Sequence, residues 1–275
     1  MKYLVIGSKG QLGSELHLCL GNHADYVDIE KLDITKENDV RDYFFYKSYD
    51  FVINCAAYTA VDKAENEKDI AYQVNAKGAE YLAKYGKKII YISTDYVFDG
   101  FNNKPYVETD IPNPISVYGK TKLEGEKRTL EYSKIGIIIR TSWMYSRFGN
   151  NFLKTILNLA RSKKELNIVS DQIGSPTYAR DLACFIKDII PQIAEDSKGI
   201  YHFSNEGYCS WYDFASEIVN LAKVDCKINA IETKDYTSLA KRPSYSVLSK
   251  EKVKKDFNIK ISDWKECIKN CVDQF

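Results

Sequence analysis

Two spacings in the sequence put reactive or anion-binding groups where chemistry needs them. The apolar Leu4-Val5-Ile6 runs into Gly7-Ser-Lys-Gly10-Gln-Leu-Gly13 and then a helical stretch. A strand, a glycine turn and a helix form an anion site: glycines let the backbone turn tightly, and the helix start offers free N–H groups and a positive dipole end. The spacing is GxxGxxG rather than GxGxxG. The second pattern is Tyr118-Gly-Lys-Thr-Lys122, a YxxxK. Residues four apart share a helix face, so the Lys122 ammonium is expected to favour the Tyr118 phenolate and lower its pKa from about 10. That suits Tyr118 to general-acid work. Ahead of this pair, Ile89-Ile90-Tyr91-Ile92-Ser93-Thr94-Asp95 ends in hydroxyls and a carboxylate. Thr94 is placed to orient a carbonyl oxygen beside Tyr118. The trio behind a dinucleotide turn predicts hydride transfer between a carbonyl and an alcohol.

An acidic residue at the end of the second strand can hold ribose hydroxyls, and Asp28 stands about 20 residues past the turn, where such a residue is expected. Asp28 favours NAD(H), but Lys31 is near enough to receive a 2′-phosphate, so NADPH and NADH both stay open. Asp33-Ile34 follows and is expected to border the adenine.

The elements that must position these groups alternate along the first 140 residues. Lys2–Ile6, Asp25–Asp28, Phe51–Cys55, Lys88–Ser93 and Gly136–Arg140 read as strands. Gln11–Leu20, Glu37–Lys47, Asp69–Lys84 and Val117–Tyr132 read as helices. This alternation predicts an α/β fold of the Rossmann type, a doubly wound parallel sheet covered on both faces. Beyond residue 150 the texture changes. Helices are expected over Phe152–Arg161 and Tyr178–Ile190, with strands over Leu166–Val169 and Ile200–Ser204. Ser210 and Asp213 have capping-box spacing before a helix with Phe214, Ile218 and Leu221 on its apolar face. Lys250 to Phe275 fits two short helices. The expected division is a dinucleotide-binding part over 1–150 and a smaller α/β substrate-binding lobe over 151–275, with some segments packing back onto the first.

Composition narrows the class. The 275 residues carry 39 Lys+Arg against 38 Asp+Glu, a net charge of +1. Near-neutrality argues against a general nucleic-acid binder. No apolar run nears the roughly 20 residues that span a bilayer, and the apolar start is too short for a secretory signal. A cytoplasmic protein without a membrane partner is expected. Seven cysteines lie scattered with no CxxC, and the histidines His17, His23 and His202 form no HExxH. Reduced structural thiols and no catalytic zinc are expected.

With these motifs in view, the chain resembles the extended short-chain dehydrogenase/reductases, and within them the dTDP-4-dehydrorhamnose reductases. The resemblance runs over almost the whole length. It is carried by Gly7, Gly10 and Gly13, by Asn54-Cys-Ala-Ala57-Tyr58-Thr59-Ala-Val-Asp62-Lys-Ala-Glu65, and by Ser93-Thr94-Asp95-Tyr96-Val97-Phe98-Asp99-Gly100. Tyr118 with Lys122, Arg140-Thr-Ser-Trp143, Asp171-Gln172-Ile-Gly174-Ser-Pro176-Thr177 and Arg242-Pro243-x-x-Ser246 complete it.

The resemblance implies reduction of the 4-keto group of dTDP-6-deoxy-L-lyxo-4-hexulose by NADPH or NADH, giving dTDP-L-rhamnose for polysaccharide biosynthesis. Thr94, Tyr118 and Lys122 are the expected catalytic residues. The cofactor side takes in Gly7, Gly10, Gln11, Leu12, Gly13, Asp28, Asp33, Ile34, Ala57, Tyr58, Thr59, Ile92, Tyr118 and Lys122. The sugar nucleotide side takes in Thr94, Asp95, Trp143, Asn151 and Arg242, with Trp143 as an apolar wall and Arg242 on the diphosphate. Some members dimerise through magnesium held by glutamates. Glu15 is present, but Arg180 stands where a second glutamate is needed, and a cation cannot ligate Mg²⁺. No metal and a monomer or weak homodimer are expected.

Other readings remain. Another nucleotide-sugar 4-reductase or epimerase of the same superfamily fits most motifs. A dehydratase fits less well, because Thr94 is followed by Asp95-Tyr96 rather than Asp-Glu. A non-catalytic dinucleotide-binding regulatory subunit, resembling that of methionine adenosyltransferase, is the third reading.

Overall fold

A computed structural model describes residues 1–275. The chain opens with β1 (Tyr3–Ile6), α1 (Gln11–Leu20), β2 (Ala24–Val27), α2 (Glu37–Phe45) and β3 (Phe51–Asn54). Then come α3 (Val61–Ala64), α4 (Lys68–Tyr72), a π-helical turn (Gln73–Lys77), α5 (Gly78–Gly86), β4 (Lys88–Thr94), α6 (Val117–Tyr132) and β5 (Ile135–Thr141). The remainder holds β6 (Met144–Tyr145), α7 (Phe152–Ser162), β7 (Glu165–Val169), β8 (Ile173–Gly174), β9 (Thr177–Tyr178), α8 (Ala179–Ile189) and β10 (Gly199–His202). It ends with β11 (Cys209–Ser210), α9 (Trp211–Leu221), β12 (Lys227–Ile231), α10 (Glu251–Phe257) and α11 (Trp264–Val272).

The central sheet has six strands in the order β10-β5-β4-β3-β1-β2, all parallel. The chain leaves β1 for β2 on one side and then returns to β3 on the other. Strand order therefore reverses between β1 and β3, and the crevice beyond their carboxyl ends is the expected ligand site of such a sheet. Alternate residues feed opposite faces. Val5, Ile53, Ile90 and Ile137 pack with α1, α8 and α10, while Leu4, Val52, Ile89 and Ile138 pack with α5. Both faces are covered, which is why these strands read as continuous apolar runs.

The tail does not stand apart. β10 pairs with β5, and α8 packs on α1 beneath the sheet. A further core is built from Tyr145, Leu157, Phe214, Ile218, Trp264 and Ile268. The capping box is present: Ser210 Oγ accepts from Asp213 N at 3.0 Å, and Asp213 Oδ2 accepts from Ser210 N at 2.9 Å.

One expectation needs correction, and one strand was not expected. The single helix over Asp69–Lys84 is interrupted by the π turn at Gln73–Lys77. There the Asn75 carbonyl accepts the Tyr91 hydroxyl, and the Asn75 side chain bonds Tyr58 and Thr121. Tertiary hydrogen bonds set that turn, and helical periodicity does not register them. Lys227–Ile231, which carries no clear strand pattern, pairs in parallel with β7. Its exposed and half-buried side chains lack the apolar run that marks a buried strand.

Candidate active site

The glycine turn forms because larger residues do not fit. Gly7 has φ +76°, and a Cβ there would sit 2.7 Å from the Ala56 amide nitrogen. At Gly13 a Cβ would collide with the Gly7 carbonyl oxygen and the Ser8 backbone. The first turn of α1, with Gln11 and Leu12, is thereby pressed against the end of β1, and its opening N–H groups face the switch point. Gly10 caps the helix without a side chain. Asp28 leaves β2 half-buried and accepts from the Lys9 N–H at 2.9 Å and the Ile29 N–H at 2.9 Å. Lys31 is exposed nearby. Asp33 accepts the Thr35 hydroxyl at 2.6 Å, the main reason its carboxyl is held below the usual range. Ile34 is buried against Gly78. Ala57 and Tyr58 are half-buried and Thr59 exposed on the loop after β3. Asn75 fastens this loop, accepting from Tyr58 N at 2.8 Å and donating to the Tyr58 carbonyl at 3.2 Å.

Thr94 is the last residue of β4, in register with Thr141 of β5. Its Oγ1 donates to Asp95 Oδ1 at 3.0 Å and accepts from Tyr96 N at 3.2 Å. Ser116 caps α6 by accepting from Gly119 N at 3.1 Å, so Tyr118 falls in the first turn. A Cβ on Gly119 would strike the Tyr96 carbonyl oxygen, so glycine lets α6 close on the turn after Thr94. The Thr94 side chain lies against the Tyr118 phenol, and the Tyr96 ring meets Tyr118 edge-on with centroids 5.6 Å apart. Lys122 is buried, donates to the Ile92 carbonyl at 2.6 Å and lies 4.0 Å from the Tyr91 ring centroid.

The electrostatics differ from the expectation in one respect. Burial pushes the Tyr118 phenol up to about 12, the Asp95 charge adds to this, and Thr94 opposes it. Burial pushes Lys122 down to about 7, offset in part by the Glu126 carboxylate. Lys122 does not depress the phenol: both groups are desolvated, and its ammonium is held by the Ile92 carbonyl rather than by Tyr118. Asp95 is raised by burial to about 6, with Ser246 and Thr94 opposing, and its Oδ2 has no hydrogen-bonding partner.

The substrate-side residues are supplied by distant segments. Trp143 has φ +47°, a costly conformation for a bulky residue. Its ring stacks on Trp211 at 3.5 Å with planes 8° apart and lies against Gly174. Trp211 and Arg242 line a cavity of about 780 Å³ together with Phe152, Gln172, Val169 and Tyr236. Arg242 donates to Asp62 Oδ2 at 2.6 Å, and Asp62 also accepts from Ala240 N at 3.0 Å. Asn151 is different: its Oδ1 caps α7 at Lys154 N, and its Nδ2 donates to the Ser146 and Phe148 carbonyls. Its polar atoms serve the local turn. Asp62, Asn75, Trp211 and Glu126 were not singled out as functional in the sequence. Only Asp62 lay within a recognised motif.

The residues do not suit a magnesium bridge. Glu15 is buried and accepts the Ser146 hydroxyl at 2.6 Å, while Arg180 is an exposed cation on α8.

The family described as RmlD substrate binding domain matches residues 1–275. The chain belongs to that family. It is 43% identical to the dTDP-4-dehydrorhamnose reductase of Aggregatibacter actinomycetemcomitans, covering 98% of this chain and 97% of that relative. It is 41% identical to the spore coat polysaccharide biosynthesis protein SpsK of Bacillus subtilis, covering 99% and 97%. Among solved structures, the dTDP-4-dehydrorhamnose reductase of Bacillus anthracis in complex with NADP superposes with a TM-score of 0.95 at 36% identity, covering 100% of both chains. No helix is long and apolar enough to cross a membrane.

Proposed function

We propose that this chain is a dTDP-4-dehydrorhamnose reductase, reducing the 4-keto group of dTDP-6-deoxy-L-lyxo-4-hexulose to give dTDP-L-rhamnose. The observation that supports the reading is that Thr94, the last residue of β4, lies against the Tyr118 phenol, while Lys122, one turn along α6, is buried on the Ile92 carbonyl of the same strand. The names of the curated relatives, and NADP in the Bacillus anthracis enzyme, support it.

Gly7, Gly10, Gln11, Leu12 and Gly13 would hold the pyrophosphate of NADPH or NADH, because glycine lets the turn close tightly on the backbone and brings it and the start of α1 up to an anion. Asp28, Asp33, Ile34, Ala57, Tyr58, Thr59 and Ile92 border the rest. When bound, the nicotinamide supplies the hydride that reaches C4. Thr94 donates its hydroxyl hydrogen to the keto oxygen and orients it. Tyr118 gives its proton to that oxygen as charge develops. A phenol at about 12 keeps its proton throughout the neutral range, so it stands ready as a donor, which is what the reductive direction needs. Lys122 places positive charge behind the reacting groups. Asp95 meets a sugar hydroxyl, the Trp143–Trp211 stack walls the sugar nucleotide, and Arg242, held in a fork by Asp62, faces the diphosphate. The reading is of a cytoplasmic enzyme, a monomer or weak homodimer without a metal bridge. The experiment is NADPH oxidation on adding the keto sugar, with Tyr118→Phe as control. Undiminished turnover in the variant removes Tyr118 from the mechanism.

A further inference from the structure

α6 carries a third polar side chain facing the sheet, one turn beyond Lys122. Glu126 is 2% exposed and paired with Arg140 of β5, which is 1% exposed. Arg140 Nε donates to Glu126 Oε1 at 2.8 Å and Nη2 to Oε2 at 2.7 Å, a fork that fixes both distance and plane. Ser93 donates to the same Oε1 at 2.5 Å. Ser93 and Arg140 are register partners across β4 and β5, and Thr94 and Thr141 are the next pair. Two neighbouring strands thus grip one helix carboxylate, one residue below the catalytic threonine. The Arg140 guanidinium also lies 5.1 Å from the ring of Phe98, just beyond the turn that follows Thr94.

Stability is a weak reason to keep such a group. Desolvating two charges offsets much of their attraction, and apolar side chains of similar volume often do as well or better. What the fork supplies is geometry: it admits one rotation and one height of α6 over the sheet.

We propose that Glu126 is a positioning residue for the reduction: clamped by Ser93 and Arg140, it sets α6 so that Tyr118 and Lys122 meet Thr94. This rests on the reading of those three residues given above. The clamp touches neither sugar nor nicotinamide: it acts by positioning α6, beside the support that the Glu126 charge gives to the Lys122 ammonium, so kcat is read at a pH below the Lys122 limb.

The test compares Ser93→Ala, Glu126→Asp and the apolar pair Glu126→Leu with Arg140→Met against Tyr118→Phe. Melting temperature, NADPH affinity by fluorescence titration, kcat and both KM values are read. A misplacement of about 1 Å can cost about 100-fold, so the apolar pair is expected to lose about 100-fold in kcat. Both KM values and the NADPH affinity stay within about threefold, and the melting temperature does not fall. Ser93→Ala, which keeps the fork, is expected to lose about tenfold in kcat with the same unchanged binding, and Glu126→Asp to fall between them. Full kcat in a folded apolar pair overturns the proposal. Should that pair not fold, full kcat in Ser93→Ala overturns it instead. A loss confined to stability or to KM contradicts it as well. If Tyr118→Phe is inactive while the clamp variants turn over normally, only this inference fails. If Tyr118→Phe is active, the catalytic reading fails and takes the inference with it.

Discussion

The proposed dinucleotide edge and the proposed substrate cavity are built from different materials. At the dinucleotide edge the working parts are backbone: a glycine turn, a helix start, and a loop after β3 fastened by Asn75. The turn and the helix start are contiguous in sequence, and close packing leaves them almost no freedom to vary in shape. In the cavity the working parts are side chains from four distant segments, carrying Phe152, Gln172, Trp211 and Arg242, with Trp143 stacked on Trp211. Asp62 joins the two by pairing with Arg242. Backbone sites read a group common to many ligands, whereas side-chain sites read what differs among them. The first region should therefore govern whether any dinucleotide binds, and the second which sugar is taken.

The largest expected effect is at the point between the regions. Tyr118→Phe removes the proton donor and is expected to lower kcat by about 10²–10⁴-fold, with the NADPH dissociation constant within about twofold. Stopped-flow NADPH oxidation and fluorescence titration check this. Gly13→Ala tests the backbone region. The added methyl overpacks the turn by about 1–3 kcal/mol, which weakens NADPH binding by about tenfold or more, measured by calorimetry. If affinity is unchanged, the cradle is misassigned. Arg242→Ala tests the side-chain region. Loss of a charge-assisted contact of about 1.5–3 kcal/mol raises the KM for the sugar nucleotide by about 10- to 100-fold, while NADPH affinity holds. A fall in NADPH affinity instead would merge the two regions.

A smaller effect concerns pH. Lys122 titrates at about 7 and faces Glu126 on its own helix, Tyr91 on β4 and Cys55 at the end of β3. Its pKa is depressed, so the cation is complete below that value and lost as pH rises through it. The kcat/KM profile for reduction should therefore fall on an alkaline limb near 7. Removing the Glu126 charge, which raises the Lys122 pKa, should move that limb to lower pH. A limb that stays in place in Glu126→Gln contradicts the assignment.

The same contrast explains what could be read from residues alone. The five strands of the first 140 residues are legible within a residue or so because a sheet buried on both faces demands apolar runs. The glycine turn is legible because steric exclusion leaves one residue type. The fold of the tail is partly legible: the Ser210–Asp213 box is local, but β12 and the return of β10 to the sheet depend on partners far away in sequence. The π turn at Asn75 and the clamp at Glu126 were illegible. A Glu in a helix is ordinarily a solvated residue, and only its meeting with Ser93 and Arg140 reveals otherwise. The Tyr118–Lys122 spacing was legible but its electrostatics were not, because burial of both groups outweighs the influence of one on the other.

The central claim is carbonyl reduction at Tyr118. The most direct measurement mixes the chain with NADPH and the dTDP-4-keto-6-deoxysugar and follows both absorbance at the nicotinamide band and the sugar by NMR. Stoichiometric NADPH oxidation with appearance of dTDP-L-rhamnose, abolished in Tyr118→Phe, is the expected result. Binding of NADPH without its oxidation by any keto sugar nucleotide would contradict the account.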